Sequence, residues 1–288
     1  LMAVANLIVT VSRALASAAR IDALFAVETS IKDGPGARPA PGAARVEFDG
    51  VDFAYTPGRN ALTGVSFRAM PGETIGVIGG TGAGKSTLAN LIPRLYDVSA
   101  GRVLVDGADV RDFHLDDLRR RVGLVPQRAS LFSGTIRDNL KWGGEGATDE
   151  VLWKALRVAQ AEDFVRALPE GLDAPVEQGG VNFSGGQRQR LTIARALVLE
   201  PEILILDDSA SALDYITDAR LQKALREETE GMTVFVVTQR VAAVRNADKI
   251  LVLADGVLVA QGTHDELYRT SEAYRAICDA QTAGEVAL

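Results

Sequence analysis

The chain has 288 residues, 47% hydrophobic and 24% charged, with a net charge of −7 and a pI near 5.1. Those proportions suit a folded chain with ample core, and the acidic balance argues against nonspecific wrapping of nucleic acid, so no nucleic-acid partner is expected. One cysteine, Cys278, excludes an internal disulfide or a cysteine cage, and His114 and His264 are too few and too far apart for a histidine metal site.

Residues Leu1–Ser12 carry no charge, and Val4, Ile8, Val11, Leu15, Ala18, Ile21 and Phe25 recur at helical steps. Twelve uncharged residues fall short of the about 20 that a bilayer span needs, and no basic region precedes them, which argues against a signal peptide. Residues 1–31 read as the cytoplasmic end of a membrane helix, the alternative being an amphipathic helix packed on its own domain. Lys32–Ala44 holds three prolines and three glycines in thirteen residues and reads as a linker. A globular domain then runs from near Arg45 to residue 288. Its first element, Val46–Tyr55, has the alternation of a strand pair, and strands follow at Val65–Met70 and Thr74–Ile78.

The stretch Gly79–Thr87 reads GGTGAGKST and contains Gly79-x4-Gly84-Lys85-Ser86, the spacing of a phosphate-binding loop between a strand and a helix. A chance match in a chain this long is about a one per cent event. Glycines let the backbone curl so that several N–H groups face one phosphate chain, and the helix N-terminus adds partial positive charge there. The candidate residues for binding a nucleoside triphosphate are Gly79, Thr81, Gly82, Ala83, Gly84, Lys85, Ser86 and Thr87. Lys85 reaches the outer phosphates and the Ser86 hydroxyl ligates Mg²⁺.

A helix is expected over Thr87–Tyr96, then strands over Gly101–Asp106 and Val122–Pro126. From Gln127 to about Leu199 the pattern is helical, with helices at Asp149–Gln160, Ala161–Leu168 and Gly185–Leu199. Ile203–Leu206 is a short apolar run ending in Asp207-Asp208, as in a central parallel strand. A helix at Tyr215–Thr229 and strands at Thr233–Thr238 and Lys249–Ala254 complete an α/β alternation. Thr263–Glu266 reads as a capping box, which gives His264 a structural explanation.

The stretch Asn182–Arg190, NFSGGQRQR, opens a helix whose free N–H groups and Ser184 hydroxyl form a second anion site. Together with the phosphate loop and the acidic strand end, it resembles the signature of the ATP-binding-cassette (ABC) family, and the resemblance covers nearly the whole chain. It implies an α/β fold: a P-loop NTPase core with a mixed sheet flanked by helices, an antiparallel β subdomain, and an inserted α-helical subdomain at about 127–200. It implies ATP and Mg²⁺ as ligands, with Tyr55 stacking on adenine, Gln127 reaching Mg²⁺ and Asp207 holding Mg²⁺ through water. The signature residues Phe183, Ser184, Gly185, Gly186 and Gln187 are implied to act in trans, covering the γ-phosphate held by a second cassette. Ser211, Ala212, Leu213 and Asp214 match the loop that touches that partner. Glu177, Phe132 and Gly134 fall where the family meets its membrane domain. Residues 1–31 resemble the last transmembrane helix of exporters that fuse membrane and nucleotide domains, which implies a transmembrane domain in the same protein and a place on the cytoplasmic face of the cell membrane.

Two positions depart from the family pattern. Asp208 stands where glutamate usually polarises the attacking water, and its side chain is shorter by about 1.5 Å. Gln239 stands where a histidine contacts the γ-phosphate, and glutamine cannot become cationic at neutral pH. The chain is therefore expected to bind MgATP and to hydrolyse it weakly, as the degenerate-site half of a heterodimeric ABC exporter whose partner supplies the intact glutamate and histidine. A homodimeric exporter with slow hydrolysis and a soluble ATP-gated regulator are the alternatives, and residues 1–31 weigh against the second.

Overall fold

The computed structural model describes residues 2–229 and 231–286. The chain divides into two compact units, residues 1–32 and 33–288. The first is a single helix, α1 (Met2–Phe25), with no buried residue. Its apolar stripe continues past Arg13, Arg20 and Asp22, so the helix is twice as long as the uncharged run alone implies.

In the second unit, residues 33–44 form neither helix nor strand, as their prolines and glycines require. They are nevertheless docked. Gly34 N donates to Phe113 O at 3.0 Å, Gly36 N to Asp112 O at 2.9 Å and Ala40 N to Asp106 O at 2.8 Å. The Asp33 carboxylate accepts from Leu115 N at 2.8 Å.

Strand β1 (Val46–Phe53) is one strand and not the expected pair. It pairs antiparallel with β2 (Leu62–Ala69), Phe48 opposite Phe67 and Val51 opposite Val65, with a register shift between them. The Asp49-Gly50 dipeptide is thus absorbed as a bulge rather than a reversal. Next come β3 (Thr74–Gly79), α2 (Lys85–Leu91), β4 (Ala100–Val105), β5 (Ala108–Asp109), α3 (Leu115–Arg121) and β6 (Val122–Val125). Helix α2 stops five residues before the expected Tyr96 because Pro93 lacks the N–H that the next turn needs. A four-stranded antiparallel sheet, in the order β2-β1-β4-β5, is the β subdomain.

The helical insertion contains β7 (Gly134–Thr135), α4 (Ile136–Lys141), α5 (Asp149–Val158), α6 (Glu162–Arg166), β8 (Pro175–Val176) and α7 (Gly185–Val198). Strand β9 (Ile203–Asp207), α8 (Tyr215–Glu228), β10 (Thr233–Thr238), α9 (Val241–Val244), β11 (Lys249–Ala254), β12 (Val257–Gly262), α10 (His264–Thr270) and α11 (Glu272–Val286) return the chain to the core. The six-stranded core sheet runs β12-β11-β3-β10-β9-β6, parallel except for β12. This is the mixed sheet of a P-loop NTPase core. Every residue of β3, β9 and β10 is buried, which explains their continuous apolar runs. At the N-terminal end of β9, Arg45 and Arg121 both pair with Asp106 and Glu202, tying the start of β1 to the start of β9. The Thr263 capping box forms as expected, and His264 Nδ1 lies 2.9 Å from the Tyr274 hydroxyl, a structural task for that histidine.

Candidate nucleotide-binding site

Parallel strands bring their C-terminal ends to one edge, where open α/β sheets bind ligands. Register sets the neighbours: Thr238 lies opposite Ile78, and Val237 lies opposite both Val77 and Asp207. The segments following β3, β9 and β10 therefore leave the sheet side by side, carrying residues 80–87, Asp208 and Gln239.

The end of β3 and the last loop residue before α2 both require glycine. A Cβ on Gly79 would lie 2.2 Å from Leu253 O. Gly84 has φ +97 and would put a Cβ 2.7 Å from Ala61 O. Around this loop lies an open cleft of about 600 Å³ lined by Tyr55, Thr56, Arg59, Asn60, Ala61, residues 82–87, Asp255 and Gly256. Residues 59–61, Asp255 and Gly256 were not legible as site residues: Asp255-Gly256 reads only as a hairpin turn between β11 and β12. The turn is drawn to the loop by Gly256 N donating to Ala83 O at 3.2 Å. The Tyr55 ring stands edge-on to Phe53 and Tyr96, with its hydroxyl 3.2 Å from Thr87 Oγ1. It is 53% exposed at the rim of the cleft, so one face can receive a planar base.

Lys85 Nζ donates to the carbonyls of Gly79 at 2.9 Å and Gly80 at 2.8 Å. Burial holds its ammonium below the ordinary lysine range, and the charges of Asp208 and Asp207 oppose that shift. Ser86 Oγ donates to Asp207 Oδ1 at 3.1 Å. Burial pushes the Asp207 carboxyl up, the Ser86 hydrogen bond pulls it down and the neighbouring Asp208 charge adds to the rise. Among the described residues no group of three or more His, Cys, Asp or Glu side chains could cage a metal. A hydroxyl beside one buried carboxylate suits Mg²⁺, which keeps waters and takes its other oxygens from phosphates. The residues present fit MgATP.

Asp208 has φ 46, a left-handed backbone that Asp tolerates better than most residues, and its N–H donates to Val237 O at 2.7 Å. Gln127 Nε2 donates to Asp208 Oδ2 at 3.1 Å. The structure thus brings together residues named separately from the sequence, Ser86 with Asp207 and Gln127 with Asp208.

The signature residues stand elsewhere. Ser184 caps α7, accepting from Gln187 N at 3.3 Å while Gln187 Oε1 accepts from Ser184 N at 2.9 Å. Ser184 and Gly185 are exposed and Phe183 is buried, packed near Phe164, so the signature needs an apolar anchor there more than leucine itself. None of residues 182–190 lines the cleft at the phosphate loop. Residues 209–212 form a 3-10 turn, Leu213 is buried, and Asp214 caps α8 by accepting from Thr217 N at 2.9 Å. The Ser211 side chain lies outside the described residues. Phe132 is stacked on Trp142 at 4.3 Å, and both rings are exposed.

Fold and site together define a P-loop nucleotide-binding domain with a helical insertion. The sequence pattern of the family described as ABC transporter matches residues 62–211, and the chain belongs to that family. It is 44% identical over 280 residues to an uncharacterized ABC transporter ATP-binding protein, YfiB, of Bacillus subtilis, a match covering 97% of this chain and 48% of the relative. It is 38% identical over 273 residues to an ATP-dependent lipid A-core flippase of Desulfotalea psychrophila, covering 94% of this chain and 48% of that protein. The solved structure of a bacterial Atm1-family ABC exporter with ATP bound superposes with a TM-score of 0.89 at 35% identity, covering 94% of this chain and 48% of that one. The chain spans about half the length of the curated relatives it matches.

Proposed function

We propose that this chain is the nucleotide-binding domain of one half of a heterodimeric ABC exporter. It binds MgATP on residues 79–87, pairs head to tail with a second, different cassette, and hydrolyses its own ATP poorly. Export is supported by relatives that are named a flippase and an exporter. A membrane domain in the same protein, with this domain on the cytoplasmic face, is supported by α1. At 24 residues the helix is about 36 Å long, against about 30 Å for a bilayer core, and by length and composition it is able to cross a membrane.

In this reading the loop N–H groups and Lys85 orient the phosphates, while Ser86 and Asp207 hold Mg²⁺, which neutralises developing charge when bound. Gln127 links the core to the helical insertion, and the exposed Phe132 and Trp142, with Gly134 and Glu177, face the membrane domain. Ser184 and the α7 N-terminus donate to the γ-phosphate on the partner's loop, and residues 211–214 touch that partner. Trans action is supported by the absence of residues 182–190 from the cleft that holds this chain's own loop.

The observation that carries the weak-hydrolysis reading is Asp208 itself. It occupies the strand-end position beside Gln127 with a carboxylate about 1.5 Å shorter in reach than glutamate. A displacement near 1 Å costs about 10²-fold when a catalytic group must be positioned. Gln239, at the end of the adjacent strand, removes the cationic option as well. The test compares equilibrium MgATP binding with steady-state phosphate release by the purified chain. Saturable binding with turnover barely above background is expected, and robust turnover by the chain alone would overturn the reading.

A further inference from the structure

The backbone of Gln239, just past the end of β10, is hydrogen-bonded to the last helix, far away in sequence. Its side chain is exposed, but its backbone is clipped. Gln281 Nε2 donates to Gln239 O at 2.6 Å, and Gln281 Oε1 accepts from Val241 N at 2.9 Å. One side-chain amide therefore bridges the main chain on both sides of Arg240, as a neighbouring strand would. Other bonds of the segment are local or run to α8. Arg240 N donates to Thr238 Oγ1 at 3.1 Å, and Arg240 Nη2 lies 3.2 Å from Asp218 Oδ2 on α8.

Helix α11 is itself anchored. Tyr274, Cys278 and Gln281 are spaced by four and three residues and share one helical face. Tyr274 is fully buried and bonded to His264, and Cys278 is 7% exposed. Gln281 thus extends the helix's buried face to the loop that leaves β10.

We propose that Gln281 is a positioning residue for ATP hydrolysis: α11 sets the backbone of residue 239 through this clip, and so sets where its side chain meets the γ-phosphate. The proposal rests on the reading of residue 239 given above. Losing the clip leaves the ATP cleft intact, because among the described residues none of α11 lines it. The effect falls on turnover and not on nucleotide affinity.

The test uses the chain carrying Asp208→Glu and Gln239→His, in which turnover is expected to rise. Gln281→Ala in that background is expected to lower kcat about tenfold, a fraction of what a 1 Å misplacement costs, with KM for ATP changed less than twofold. Gln281→Glu guards against a trivial packing defect. It keeps the side-chain volume and the acceptor for Val241 N but replaces the donor to Gln239 O, and it should lower kcat similarly. Amide hydrogen exchange at Val241 should accelerate in Gln281→Ala while the melting temperature holds. An unchanged kcat in both variants, or a loss of kcat matched by an equal rise in KM, would overturn the role of Gln281. Absence of turnover in the parent double variant would instead remove the reading of residue 239 and this inference with it.

Discussion

Replacing Asp208 with Glu and Gln239 with His is the perturbation whose outcome follows most directly from the geometry. Asp208 is pinned by its N–H to Val237 O at 2.7 Å and by Gln127 Nε2 on its carboxylate at 3.1 Å, so its carboxylate cannot advance without breaking a bond. One added methylene extends the reach by about 1.5 Å. A well-placed general base contributes about 10²–10⁴-fold, and a misplacement near 1 Å forfeits about 10²-fold. Asp208→Glu alone should therefore raise turnover by about 10- to 100-fold, with a further gain when Gln239→His restores a cationic contact. A cost accompanies the gain: at φ 46 glutamate lacks the local hydrogen bonding that eases Asp into the left-handed region, about 1 kcal/mol, or about 2–4 °C in Tm. Phosphate release, ATP affinity and thermal melting on the same preparations separate these effects. No gain in turnover by the double variant, with ATP binding unchanged, would mean the defect has been assigned to the wrong residues.

Three further outcomes are expected. Ser184→Ala removes an N-cap worth about 1 kcal/mol of helix stability, and in the paired complex it should depress hydrolysis on the partner's loop far more than ATP binding on this chain's loop, measured by trapping labelled nucleotide on each chain. Gly84→Ala forces a side chain into φ +97 against Ala61 O, a strain of about 1–3 kcal/mol, and should weaken MgATP binding by about tenfold or more in an isothermal titration. Asp207→Asn should abolish the Mg²⁺ dependence of ATP binding while raising the Tm of the free chain at neutral pH by about 1–3 °C. Because burial raises the folded-state pKa of Asp207, the folded chain holds that proton more tightly than the unfolded chain. Its charge is penalised above the folded pKa, so the gain from Asn should shrink as pH falls toward the unfolded value of about 3.9.

The phosphate loop and the acidic strand end were legible because β3 and β9 are buried on both faces and read as unbroken apolar runs beside glycines or paired aspartates. The strand pair expected over Val46–Tyr55 is a single bulged strand, because alternation reads alike on either side of Asp49-Gly50 and only the pairing with β2 decides between a bulge and a turn. Helix α3, LDDLRRR, fully buries Leu118 alone and so carries no stripe for periodicity to find. Edge strand β12 has no buried residue except at partial depth, which hides it in the same way. The cleft walls at residues 59–61 and Asp255-Gly256 meet distant segments through backbone groups, and the Gln281 side chain clips backbone groups of residues 239 and 241; a backbone partner leaves no mark on residue identity.

The most direct measurement follows the fate of a single ATP. With the chain in molar excess over MgATP, acid quenching at successive times reports the bond-breaking step without any need for product release. ATP is expected to be recovered intact after many minutes from the wild-type chain, and to be converted to ADP in the variant carrying Asp208→Glu and Gln239→His. Conversion by the wild-type chain within seconds would contradict the claim that residues 79–87 hold ATP and hydrolyse it poorly.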